Sequence, residues 1–149
     1  MGYRSDVRMV IVGATDKILN GFAHLRLTAD KDMIEALDEW EVKADNSNGT
    51  GRAVAILGRG GVSWKWYESY SDVIAHNTIF HYFQDMSESD GSTINGGFVR
   101  IGENDDDIET AYFGNDYPAD FVRPVRSIQC DYDDLNGDDL RPRIAQTSA

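Results

Sequence analysis

Carboxylates are the most concentrated chemical group in this sequence, and they crowd its C-terminal half. Between Glu103 and Asp139 there are twelve acidic residues and only two basic ones, Arg123 and Arg126. Carboxylates can transfer protons in a reaction, bind divalent cations through their oxygens, or present negative charge to a basic partner. The spacing of the acidic residues bears on which of these chemistries applies.

The acidic run 131–139 has the composition of a calcium-binding loop. A loop that begins at Asp131 would place Leu135 at its fifth, ligating position and Asn136 where glycine is required. A loop that begins at Asp134 also lacks this glycine and ends without the bidentate glutamate. Because neither frame fits, the sequence predicts no metal site and no cofactor.

Other catalytic motifs do not fit the sequence either. Segment 13–17 lacks the second glycine and the Lys-Ser/Thr pair of a phosphate-binding loop. His76 and His81 are five residues apart, which on a helix separates them by about 140°. The lone Cys130 is typical of a small packing group. We therefore predict that the protein is not an enzyme; the alternative is a small enzyme that uses paired carboxylates as acid and base or as metal ligands.

Net charge restricts the class of partner. The 149 residues carry a formal charge of −12, so phosphate backbones and anionic membranes would repel the protein. The N-terminus lacks the apolar core of a signal peptide, and a single cysteine fits a reducing compartment. We predict a protein that binds neither nucleic acid nor membrane directly.

Apolar periodicity predicts the elements of the N-terminal half. Val7, Met9 and Ile11 alternate before Gly13, which indicates a first strand. A short helix is expected around residues 18–23, although alternation competes with helical spacing there. A second helix is expected over residues 30–40, since Asp30 or Thr28 can cap it. The other expected elements are a loop at 45–51, a hairpin formed by 52–57 and 62–66 around the glycines of 58–61, and a helix from Ser69 or Ser71 to about Met86 that covers the sheet.

The aromatic residues of the 64–70 segment could suggest a platform for stacking bases, as in single-strand binders. Such platforms lie in electropositive grooves, and only Arg59 and Lys65 are near in sequence. We therefore expect Trp64, Trp66 and their neighbours to pack under a helix.

The C-terminal half is expected to begin with a polar loop over 87–97, followed by strands at 98–102, 108–113 and 122–128. The resulting fold class is α+β, with a mostly antiparallel sheet and two or three helices packed on one face. We predict a single domain over residues 1–140 and a frayed polar tail over 141–149, where apolar periodicity is absent.

Three segments resemble small accessory proteins encoded by tailed bacteriophages. They are the opening Met1-Gly2-Tyr3-Arg4-Ser5-Asp6-Val7, the Trp66-Tyr67-Glu68-Ser69-Tyr70 segment with Asp72-Val73, and Phe98–Glu103 with Asp105–Glu109. The resemblance implies a setting, the cytoplasm of an infected bacterium, rather than a reaction. Small acidic phage proteins in that setting often bind and disable host enzymes, some of them by imitating DNA.

This setting and the charge together predict an inhibitor that binds a host DNA-binding enzyme, such as gyrase or another topoisomerase, RNA polymerase or a defence nuclease. Duplex DNA carries one charge per about 1.7 Å, so twelve carboxylates could replace about 20 Å of helix. Alternate residues of a strand lie about 6.6 Å apart, and the series 103, 105, 107 and 109 has that alternation. The predicted partner-binding residues are Glu103, Asp105, Asp106, Asp107, Glu109, Asp131, Asp133, Asp134, Asp138 and Asp139.

Two other interpretations stay open. Acidic runs are usually solvated surface, so the protein could interact through another face and carry its charge for solubility. It could also be a minor phage structural or assembly protein, which should oligomerise through an apolar patch.

Overall fold

A computed structural model of the protein describes residues 3–45, 51–61, 63–90, 94–104, 106–114, 118, 121–124, 127–133, 135 and 137–147. The elements in chain order are β1 (Ser5–Ala14), α1 (Thr15–Leu27), α2 (Lys31–Glu39), β2 (Glu41–Ala44), β3 (Arg52–Leu57), β4 (Ser63–Trp64), α3 (Ser71–Asp90), β5 (Asn95–Gly102), β6 (Ile108–Phe113), β7 (Val122–Pro124), β8 (Ile128–Cys130) and α4 (Arg141–Thr147).

The main sheet is antiparallel and is built around β1. Its strand order is β2-β3-β1-β5-β6, and β4 pairs with the first residues of β1. Val7, Met9 and Ile11 belong to the apolar cluster on the helical side, whereas Val10 and Val12 belong to a second cluster on the other side. The strand predicted from this alternation is confirmed, and it is buried on both faces because the sheet is covered twice.

The helices pack on one face of this sheet, so the predicted α+β class with a mostly antiparallel sheet is confirmed. The Asp30 side chain accepts a hydrogen bond from the Met33 amide and begins α2, as the sequence predicted. The described residues contain four helices rather than two or three, because α4 forms as well. No helix among the described residues is both long and apolar enough to cross a membrane.

The opposite face is covered by a small two-stranded sheet, β7–β8. Val122, Ile128 and the free Cys130 pack there against Val10 and Val54 of the main sheet. The sequence predicted one strand over 122–128, and that prediction is wrong, since two short strands form a hairpin. Residues 125–126, between these strands, lie outside the described residues.

The predicted hairpin of 52–57 with 62–66 is also wrong. β3 pairs with β1 over Met9–Ala14 and with β2, whereas β4 pairs with Ser5 and Asp6 of β1. Since β1 is ten residues long, both strands fit along the same edge of it. After the turn that contains Gly58, Gly60 and Gly61, the chain therefore continues along β1 instead of reversing to pair with β3.

The polar loop predicted at 87–97 is replaced by regular structure at both ends. α3 continues to Asp90 and β5 already begins at Asn95, with residues 91–93 outside the described residues. A Cβ at Gly96 would clash with the Phe113 ring, and one at Gly97 with Val122. These glycines permit close packing within the sheet rather than a turn. Of the loop predicted at 45–51, residues 46–50 also lie outside the described residues.

The predicted frayed tail is wrong for residues 141–147, because they form α4, which packs on α1. Ile144 is 6% exposed and lies in the main core. The Ile144 side chain packs this largely polar segment against the core. A single apolar residue gives no periodic pattern, so the sequence did not predict a helix here.

We expect Ile144→Ala to lower the free energy of unfolding by about 2–4 kcal/mol, because it removes buried methyl groups and leaves a cavity. Urea denaturation of the full chain measures this loss. Arg143→Ala, at an exposed position on the same helix, is the control and should change stability little. Equal stability of the Ile144→Ala variant and the unaltered protein would mean that α4 is not part of the core.

Candidate functional site

The acidic residues 103–109 do not form a continuous row. They span the turn between β5 and β6, where the Gly102 amide donates to the Asp107 carbonyl and the Asp107 amide donates to the Asn104 carbonyl. Asp105 lies outside the described residues. Glu103, Asp107 and Glu109, the members of the expected series that the structure describes, therefore do not lie on one extended strand, which the regular spacing needs.

Arg100 neutralises one negative charge in this turn by pairing with two carboxylates. Its guanidinium is 2.7 Å from Asp107 Oδ1 and 3.0 Å from Glu109 Oε1. The Tyr3 hydroxyl donates a further bond of 2.7 Å to Asp107. The hydrogen bonds from Arg100 and then Tyr3 lower the pKa of Asp107 to about 2. Glu103 accepts a bond from the Arg4 amide, and Asp106 is exposed.

Asp133 is a structural residue of the opposite face. It lies 3.1 Å from the guanidinium of Arg8, whose other end is 2.6 Å from Asp6. Arg8 is only 3% exposed, so both carboxylates stabilise a buried charge. The Gly60 amide also donates to Asp133, which attaches this segment to the turn after β3. Asp131 is exposed and Asp134 lies outside the described residues.

Asp139 lies at the other edge of the sheet. It pairs with Arg141 at 2.6 Å, and hydrogen bonds from Arg141 lower its pKa to about 2. The neighbouring Asp138 accepts a bond from the Ala44 amide of β2 through its backbone carbonyl, and its side chain is exposed. β2 and β6 are separated by four strand spacings, about 19 Å. Those predicted partner-binding residues that the structure describes are therefore dispersed, and the role of the whole set in binding stays a prediction.

Carboxylates do converge where α2 ends and α3 begins. Burial raises the pKa of Glu39, and the nearby carboxylates of Asp72 and Glu35 raise it further. Glu35 and Glu39 are four residues apart on α2, so they share a face of that helix, and like charges at this spacing repel. We name Glu35, Glu39 and Asp72 the α2–α3 carboxylate cluster.

A buried histidine lies directly behind this cluster. His76 of α3 is 0% exposed, and its Nδ1 accepts a 3.0 Å hydrogen bond from the Trp40 indole. Since the indole only donates, the neutral ring carries its proton on Nε2. That atom is 3.4 Å from Glu39 Oε1 and makes no hydrogen bond to any described residue. Burial lowers the pKa of His76 to about 4, so the contact joins a carboxylate to a neutral imidazole rather than to a cation.

A cavity of about 380 Å³ opens onto Glu39. The Trp64 indole donates a 3.1 Å bond to Asp72 at its wall and packs edge-on against His76. Trp66 is buried beside them, so the packing predicted for these two tryptophans is confirmed, whereas Tyr70 is 44% exposed. The residues that line the cavity are Arg4, Glu39, Ser63, Trp64, Lys65, Tyr70 and Asp72.

A larger cavity of about 540 Å³ lies between α1, α2 and α4. Its charged lining consists of Arg26 with Asp38 and Asp139 with Arg141, and each of these residues is already in an ion pair. The smaller cavity is the better candidate site, because Glu39 there combines a raised pKa with a half-exposed side chain.

Glu39 can hold a proton more readily than an ordinary glutamate, since its pKa is raised. The sequence predictions concerned acidic residues of the C-terminal half and did not include Glu39. The signal in the sequence was the pair Glu35 and Glu39, four residues apart, followed by Trp40. Among the residues that the structure describes, no three His, Cys, Asp or Glu side chains come together as a metal site. The chain has no match among protein-family models, curated proteins or solved structures.

Proposed function

We propose that this protein binds a basic surface of a host DNA-binding enzyme and inhibits it, in the cytoplasm of a bacterium infected by a tailed phage. The target class is the one expected from sequence: gyrase or another topoisomerase, RNA polymerase, or a defence nuclease. The protein itself does no chemistry in this proposal.

The observation that carries the proposal is the α2–α3 carboxylate cluster. The mutual repulsion of Glu35, Glu39 and Asp72 costs free energy in the isolated protein, and a cationic partner would relieve it. The ion pairs elsewhere leave an excess of negative charge. Arg8 and Arg100 each pair with two carboxylates but neutralise only one of the two charges. The net charge of −12 would steer the protein toward a basic cleft.

The C-terminal carboxylates within the described part of the chain are dispersed and do not form a row like that of DNA phosphates. The proposal therefore rests on charge attraction to a DNA-binding surface rather than on a copy of the double helix. Inhibition follows by occupancy, because a cleft filled by an acidic protein cannot admit DNA.

Affinity purification from a host lysate at low and high salt tests this proposal. We expect the unaltered protein to retain a DNA-binding enzyme at low salt, to lose it at high salt, and to lose it to added duplex DNA. The double variant Glu35→Gln, Glu39→Gln should retain less of it. The matched control, Asp85→Asn with Glu88→Gln, removes the same charge from exposed positions of α3 outside the cluster. If no DNA-binding protein is retained, or if duplex DNA does not compete, the proposal is wrong.

A second candidate is a small enzyme in which Glu39 acts as a general acid. The raised pKa of this glutamate in an open cavity is the observation that favours it. Chromogenic esters, glycosides and phosphate esters would be tested with the unaltered protein and with Glu39→Gln. Turnover that the variant loses would favour the enzyme, and equal background rates would leave binding as the function.

A further inference from the structure

We propose that the outer edge of β6, the edge that faces away from β5, pairs with the same edge of a second copy of this chain. The two β6 strands run antiparallel about a twofold axis and join the two main sheets into one. This pairing goes beyond the proposed function and does not require it.

The two edges of the main sheet differ. At β2 the Ala44 amide donates to the Asp138 carbonyl, and the Leu140 amide donates to the Val42 carbonyl, so the chain covers its own edge. At β6 no described strand pairs with the outer edge, and residues 108–111 are exposed. An uncovered edge strand is a template for another strand. β6 contains neither proline nor lysine, which often block such pairing.

The β5–β6 register determines which backbone groups face outward. The Gly102 amide donates to the Asp107 carbonyl, so these two residues form a hydrogen-bonded pair. Bonded and non-bonded pairs alternate along an antiparallel ladder. Ile108, Thr110 and Tyr112 therefore direct their amides and carbonyls away from β5, and the residues between them bond to it. The outer edge thus offers unpaired groups at every second residue, as a pairing strand requires.

The side chains of β6 are self-complementary. With Thr110 opposite its own copy on the axis, Ile108 lies opposite Tyr112 of the second copy, and threonine pairs and aromatic pairs with aliphatic side chains stabilise antiparallel strands. Ile108 is 45% exposed in the single chain, so the pairing covers it. Glu109 then faces Ala111. A shift of two residues, with Ile108 opposite Thr110, would set Glu109 against its own copy, which like charges disfavour.

This register also keeps the acidic turns apart. Asp107 of one copy comes to lie opposite residue 113 of the other, six residues along the strand from the second Asp107, or about 20 Å. Salt screens charges beyond about 8 Å at physiological ionic strength. The net charge of −12 on each copy still opposes association at low salt. Added salt should therefore strengthen the dimer, whereas it should weaken binding to a basic partner.

Sedimentation of the full chain at low and high salt, at concentrations up to about 1 mM, tests the pairing. We expect a monomer–dimer equilibrium whose association constant rises with salt. Thr110→Pro removes the N–H at the axis, which is not bonded to β5, and should weaken the dimer about tenfold, since two backbone hydrogen bonds are lost. The matched control is Thr110→Val, which keeps the N–H and nearly the same shape, and it should dimerise almost as the unaltered protein does.

Amide hydrogen exchange of the unaltered protein locates the surface. The amides of Ile108, Thr110 and Tyr112 should exchange rapidly in dilute protein and become protected as the dimer forms, whereas those of Glu109 and Ala111 should be protected throughout. A chain that stays monomeric at the highest concentration, or a dimer that leaves the three amides unprotected, would overturn the inference. A folded Thr110→Pro variant that dimerises like the unaltered protein would also overturn it, and a urea denaturation midpoint close to that of the unaltered protein shows that the variant is folded.

Discussion

The free energy of unfolding should fall by about 2 kcal/mol between about pH 7 and about pH 5 because of His76 alone, and by about 3 kcal/mol once the loss is complete near pH 4. Burial holds the pKa of His76 at about 4 in the folded protein, against 6.5 in the unfolded chain. Below pH 6.5 the unfolded chain therefore binds a proton that the folded protein does not. The contribution of His76 to stability is fully present above about pH 6.5, is lost progressively as the pH falls from 6.5, and is gone once the pH has passed through the folded value of about 4.

Urea denaturation at a series of pH values measures this loss. The comparison variant is His76→Asn, which keeps an acceptor for the Trp40 indole but does not titrate. The variant will be less stable at every pH because the ring is lost. The informative quantity is therefore the slope of the free energy of unfolding against pH. If the variant and the unaltered protein lose stability in parallel between pH 7 and pH 5, His76 is not held neutral in the fold.

Gly58→Ala is expected to lower the free energy of unfolding by about 4 kcal/mol, because two separate costs add at this position. Gly58 has a φ of +80°, which disfavours a side chain by about 1–2 kcal/mol. A Cβ would also collide with the Val7 carbonyl oxygen, an atom of the central strand that cannot move aside, and such overpacking costs about 1–3 kcal/mol.

Gly60→Ala separates these two contributions. Gly60 lies in the same turn with a φ of +76°, and a Cβ there would meet nothing within 4 Å. It should therefore cost only about 1 kcal/mol, the conformational part alone. Thermal or urea denaturation of both variants checks the difference. Equal losses would show that the turn after β3 does not press on β1.

The sequence predicted the strands and helices that are determined by residues close together in the chain. β1 followed from the alternation of Val7, Met9 and Ile11, and α2 followed from Asp30 and the helical spacing after it. The pairing of β3 and β4 could not be read in the same way, because their shared partner β1 lies much earlier in the chain. Gly96 and Gly97 indicated a loop because a sequence does not show that Phe113 and Val122 must pack against them.

The site was harder to predict than the fold, because a count of charges along the chain ignores which charges meet. Asp133 appeared free in a run of acids, yet it pairs with Arg8, 125 residues away. Glu39 appeared to be ordinary helix surface, yet Asp72 and a buried imidazole lie beside it only once α2 and α3 have packed. The carboxylates that converge in space therefore come from the half of the chain with the smaller acidic excess.

Cys130 is buried and is the single cysteine of the sequence, so its reactivity reports local opening of the fold around it. The thiol packs between the β7–β8 layer and the main sheet, and burial raises its pKa to about 11. Only the thiolate reacts with alkylating reagents, so the closed protein should be almost inert to them. The rate at which iodoacetamide labels this one sulfur then measures how often the small sheet lifts away, without any engineered label.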